Sequence, residues 1–199
     1  MALAVAAASA GAATSTGAST ARPAAASQAP SGLAYSHASA DTVQSMPKPG
    51  SCHYRGSGLY ALPDPKCTPG ALNPAVTQAT IHQTICRPGG YTDSVRPPES
   101  VTESEKTADM RSYGNHHSLS GYEMDHFIPL DLGGAANDAR NFWPEKNYPG
   151  VSPDSFTLNP KDKLEDYLRD QVCYHDLPLA KAQAAIAGSW TKAYQRYVR

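Results

Sequence analysis

The chain has 199 residues and a net charge of -1, with 17 Lys and Arg against 18 Asp and Glu. That length suits one domain with a tail, and the balance, with no Lys/Arg cluster, argues against a broad basic surface for nucleic acid. Four Cys form an even set.

Met1 to about Pro30 is almost entirely Ala, Ser, Thr and Gly. Met1 to Ala13 has the apolar and small-residue character of a signal peptide but lacks a basic n-region. It reads as an export signal, with an Ala-rich disordered leader as the alternative. The run is too short and too rich in Ala to span a membrane stably, so no membrane partner is expected. Thr14 to Pro49 is poor in large apolar residues and is expected to be disordered. The predicted division is therefore a leader over 1–50 and a folded domain over 51–199.

In an exported chain, Cys52, Cys67, Cys86 and Cys173 favour disulfides. Four Cys allow three pairings. The short, Pro/Gly-rich loop from Cys52 to Cys67 makes that pair natural and leaves Cys86 with Cys173. Buried free thiols are the alternative. No C-x₂-C spacing suggests zinc.

Val76, Ile81 and Ile85 predict a short helix over Ala75–Cys86, after Pro74. A second helix is expected over Thr102–Tyr113, with Thr102 and Glu105 as a capping box and Gly114 as the stop. Asn115 to Ser120 is a loop carrying His116 and His117.

Tyr122 to Glu145 is the stretch around which the chain is organised. Tyr122 to Leu130 reads as a strand, Asp131 to Arg140 as a Gly-rich loop, and Asn141 to Trp143 as a second strand stopped by Pro144. Neighbouring strand residues point to opposite faces. Asp125 and His126 can share a site only if the strand ends or bulges between them. An Asp carboxylate is a hard ligand for Mg²⁺, and a neutral imidazole beside it can take a proton from water.

Lys146 to Leu158 reads as loop. Asn159-Pro160 then looks like an N-cap with Pro at the first helical position, opening an amphipathic helix to about His175 on Leu164, Leu168 and Val172. A last helix is expected over Leu179–Tyr197, with a possible break at Gly188-Ser189.

Three pieces of the central stretch carry a resemblance: Tyr122-Glu123-Met124-Asp125-His126, Pro129-Leu130-Asp131-Leu132-Gly133-Gly134 and Arg140-Asn141-Phe142-Trp143-Pro144-Glu145. In this order they resemble the HNH, or ββα-metal, endonucleases, and most closely a group of secreted bacterial HNH-like proteins. The likeness runs from about Cys67 to the C-terminus and takes in Val95-Arg96-Pro97-Pro98, Arg111-Ser112-Tyr113-Gly114, Lys161-Asp162-Lys163-Leu164-Glu165 and Val172-Cys173.

The resemblance implies an α+β fold, a ββα-metal core with additional packed helices, mostly helical. It implies a secreted, metal-dependent endonuclease acting on nucleic acid, DNA first. The cofactor would be a divalent cation, Mg²⁺ first, with Mn²⁺ or Zn²⁺ as alternatives. His126 would be the general base and Asp125 the first metal ligand. Asn141 would support His126 by tying the loop between the strands. Arg96, Arg111 and Arg140 are candidates for phosphate contact, and Glu123 for an accessory role. The chain departs from the pattern at the third ligand. No His follows Asn141 until His175, at the far end of the helix, which leaves Asn159 or Asp162. Two rival readings follow: a non-enzymatic exported binding protein on a degenerate HNH scaffold, and a hydrolase of cell wall or another phosphoester.

Overall fold

A computed structural model describes residues 29–30, 32–149 and 159–199. The signal-like Met1–Ala13 and residues 150–158 of the expected Lys146–Leu158 loop lie outside the described residues. The described residues are α+β, with three α-helices and two small sheets.

The folded part starts before Ser51. β1 (Ala34–Tyr35) pairs in parallel with β2 (Ala71–Leu72), and Leu33 is buried in the core. Asn137 Nδ2 donates to the carbonyls of Ser39 and Thr42, and Gln44 N donates to Glu105 Oε1 at 2.7 Å. A segment with few large side chains is thus held mostly by its backbone groups, which composition does not report.

Two expected helical features change. Ala75–Cys86 is a run of turns with one 3₁₀ turn at Ile81–Gln83. Hydroxyls of Thr80 and Thr84 bond the carbonyls of Ala75 and Thr80, an alternative to the helical ladder. Val76, Ile81 and Ile85 are buried all the same. α1 runs Glu99–Ser112 after its cap Pro98, and so begins three residues upstream of Thr102. Thr102 therefore lies inside the helix, bonding Glu99 O, and Glu105 is buried against Gln44 rather than closing a capping box.

β3 (Tyr122–His126) pairs antiparallel with β4 (Phe142–Lys146), with Glu123 opposite Glu145 and Asp125 opposite Trp143. Pro144 lies within β4 and does not stop it. A two-stranded sheet leaves each strand one outward edge, where a missing N–H costs no ladder bond.

α2 (Pro160–Tyr174) follows its Asn159 cap, and α3 (Leu179–Tyr197) follows Pro178. Ser189 has non-helical angles (φ -173°, ψ 101°), so α3 breaks at the expected place. Leu164, Leu168 and Val172 of α2 join Ala182, Ile186 and Trp190 of α3 in one buried cluster with Trp143. Such burial stabilises by roughly 1.5–3 kcal/mol per large apolar side chain.

Cys52 bonds Cys67 and Cys86 bonds Cys173, with Cα separations of 6.0 and 5.4 Å. The second bridge ties the 3₁₀ turn region to the end of α2. Both fit an oxidising, extracellular setting. Among the described residues no helix is long and apolar enough to cross a membrane.

Candidate functional site

Between the strands, Asn141 is fully buried and anchors the loop. Its Oδ1 accepts from Ile128 N at 2.9 Å, and its Nδ2 donates to Ile128 O and Ala135 O, both at 3.0 Å. The Gly pair makes this closure possible. A Cβ on Gly134 would lie 1.8 Å from Ile128 O, and Gly133 adopts φ +79°. With the loop pinned, Ala136 O sits 3.1 Å from His126 Nε2.

That bond assigns the tautomer. A carbonyl can only accept, so Nε2 carries the hydrogen and Nδ1 keeps its lone pair. Burial drives the His126 imidazole down to about 3, so the ring is neutral across the physiological range. Its other face meets Phe142, with ring centroids 5.1 Å apart.

β3 ends at His126 without a bulge. Asp125 points to Trp143 and α2, while His126 points to Phe142 and Ala136. Both side chains still line one cleft of about 280 Å³. Asp125 is buried, and its Oδ2 accepts from Trp143 Nε1 at 2.6 Å and meets Lys161 Nζ at 2.7 Å. Lys161 also donates to His126 O at 2.9 Å and pairs with Glu165. Burial alone would discharge this lysine, but Asp125, Glu165 and Glu145 hold it well above the ordinary range.

Carboxylates outnumber cations here. Burial, then the charge of Asp125, pushes Glu123 up to about 7. Burial, then Glu123 and Asp125, pushes Asp162 up to about 8. Glu145 is 1% exposed, neither of its carboxylate oxygens has a hydrogen-bond partner, and burial with Asp125 raises it well above the carboxylate range.

This all-oxygen, electron-rich donor set suits a hard divalent cation. Among the described residues, however, no three His, Cys, Asp or Glu side chains converge into a ready-made cage. Asn159 has both ends engaged: Oδ1 accepts from Tyr148 N at 2.8 Å and Nδ2 donates to Glu123. Asp162 accepts from Asn159 N at 3.2 Å through Oδ2. Of the sequence candidates for ligands, Asp125 and Asp162 line the cleft and Asn159 does not.

The other sequence candidates divide. Arg96 lines the cleft. Arg140 is drawn off by Asp138, through Nε to Oδ1 at 2.9 Å and Nη2 to Oδ2 at 2.6 Å, and it does not line the cleft. Arg111 is exposed in the last turn of α1 and also lies off the cleft wall. His116 and His117 are exposed in their loop, and His175 caps the far end of α2. Sequence reasoning gave no role to Lys161, Glu165, Glu145 or Lys106. One signal was available: Lys161 falls in step with Leu164, Leu168 and Val172 on the buried stripe of α2, where an unpaired lysine would be costly. Comparison with family models, with curated proteins and with solved structures finds no match to this chain.

Proposed function

We propose that this protein is an exported, metal-dependent endonuclease of the HNH-like, ββα-metal kind that its sequence resembles, hydrolysing nucleic-acid phosphodiester bonds. The observation that carries this reading is the state of His126: Nε2 is committed to Ala136 O, which leaves Nδ1 as a free acceptor on a residue lining a carboxylate-rich cleft. In the reaction, Nδ1 takes a proton from water as the water oxygen forms its bond to phosphorus. The ester P–O bond breaks, and the leaving oxygen departs with the electron pair and is protonated from solvent. A divalent cation held by Asp125 with Asp162 would supply charge neutralisation at the phosphate and the leaving oxygen. Asn141 keeps the loop, and so the Ala136 carbonyl, in register with His126. Export is supported by the two disulfides.

One observation favours the rival binding protein. The Lys161 ammonium already neutralises Asp125 Oδ2, as an internal cation would. A single experiment separates the two. The full chain is incubated with plasmid and single-stranded substrates in Mg²⁺, Mn²⁺ or EDTA, beside His126→Ala and the exposed control His116→Ala. The nuclease reading expects cation-dependent cleavage, reduced about 10²–10⁴-fold by His126→Ala and unchanged by the control. Cleavage absent with every cation hands the site to the binding reading, and cleavage retained in full by His126→Ala removes His126 as the general base.

A further inference from the structure

Resting on the proposed hydrolysis, the geometry points to a narrower substrate class: short or single-stranded nucleic acid, gripped through about two phosphates, rather than duplex. The cleft with Asp125 runs into a second concavity of about 690 Å³ along α1. His126, Met124, Arg96 and Lys106 line both, so the base stands at the junction of the two.

The walls are chemically different. Pro97, Leu119 and Met124 give the larger cleft an aliphatic side suited to the flat face of a nucleobase. Arg96 and Lys106 are the Lys and Arg side chains on the walls of both clefts; Glu123, Asp125, Asp162 and Glu165 stand on the first, and Glu99 and Glu103 on the second. Arg96 and Lys106 line the same two clefts as His126, which puts the two cations beside the reacting centre.

A duplex binder neutralises many phosphates along a basic track. Here Arg140 is spent on Asp138 and Lys161 is sealed in the core. The 150–158 segment adds no Lys or Arg. Depth argues the same way. His126 is only 9% exposed where it lines the two concavities. A scissile phosphate must come down to it, and an unstacked strand or a dinucleotide can bend to do so at lower cost than a paired helix. The scissile phosphate would lie between Arg96, Lys106 and His126, with one flanking nucleoside against the aliphatic wall.

The test uses the full chain with Mn²⁺ or Mg²⁺ on a dinucleotide, a 12-nucleotide single strand of DNA and of RNA, and the matching duplex, between about 50 and 200 mM salt. The expected result is kcat/KM at least about ten-fold higher on single strands than on duplex, since the duplex must be opened first. Log kcat/KM should fall against log salt with a slope of about -1.4, the value for two phosphate contacts on a single strand. Arg96→Gln and Lys106→Gln, both on the rim, should each flatten the slope by about 0.7. Duplex cleaved as fast as single strand, a slope of about -5 or steeper, or slopes untouched by both variants would overturn the inference and leave the nuclease reading standing. No cleavage of any substrate with any cation overturns both.

Discussion

Lys161 Nζ lies 2.7 Å from Asp125 Oδ2 and 2.9 Å from the carbonyl oxygen of His126. One buried ammonium on α2 therefore fixes both members of the Asp-His pair at the end of β3. It also ties the helix to the sheet, since Glu165, one turn on, shares the same nitrogen.

Removing that ammonium should be costly. Lys161→Met leaves Asp125 with an uncompensated charge in a buried setting, and breaking one partner of such a pair typically costs about 3–5 kcal/mol. Urea unfolding should show that loss, and Lys161→Met with Asp125→Asn should recover part of it. Additive losses in the double variant would mean that the two groups do not act on one another.

Asn141→Ala removes three well-formed bonds to Ile128 and Ala135 and strands their buried backbone groups. Each unmet group costs about 1–3 kcal/mol, so a loss of at least about 3 kcal/mol is expected. Hydrogen exchange should report faster opening at Ile128. A variant as stable as the parent would remove Asn141 from this role.

The segment upstream of Ser51 belongs to the fold. A chain starting at Ser51 loses buried Leu33, the β1–β2 pairing and the partners of Asn137 and Glu105. It should be less stable by at least about 3 kcal/mol than a chain starting at Ala29. Limited proteolysis should leave a core that still contains Leu33. Trimming to Ser51 without loss of thermal stability would reverse this.

Asp109 and Glu105 lie one turn apart on the buried side of α1, each with one oxygen that has no partner. Burial, then the charges of Asp125 and Glu105, pushes Asp109 up to about 7, and burial raises Glu105. The folded state therefore holds these protons more tightly than the unfolded chain. The stability they contribute is fully present below the ordinary carboxylate range, near 4, and is lost as pH rises through about 7. Glu123 and Asp162 add the same sign. Asp109→Asn, which can still accept from Ser112, should flatten the decline and raise stability at pH 8 by on the order of 2 kcal/mol. Denaturant midpoints at pH 5 and pH 8 measure it, and an unchanged slope would refute it.

The two disulfides should differ in weight. Cys52–Cys67 spans 15 residues and Cys86–Cys173 spans 87. On the chain-entropy account these are worth about 3 and about 4.5 kcal/mol. Paired Cys→Ser variants, compared by denaturant midpoint, should rank in that order, and the native protein should yield no free thiol.

What the sequence by itself determined is what depends on near neighbours. Asn159-Pro160 opens α2 because a cap and a fixed φ act within one turn. The spacing of Leu164, Leu168 and Val172 set its buried face, and Gly188-Ser189 marked the break in α3. The Asp125-His126 pair and the Gly133-Gly134 loop were likewise readable as a unit. What only the tertiary structure decided depends on partners far along the chain. Asn137 reaches back 98 residues to Ser39, Gln44 reaches 61 to Glu105, and Lys161 reaches 35 to the His126 carbonyl. Glu123, on a distant strand, likewise takes the Asn159 amide. The physical reason is that a charged or hydrogen-bonding side chain is assigned by whichever group it meets after folding, and local spacing carries no record of that meeting.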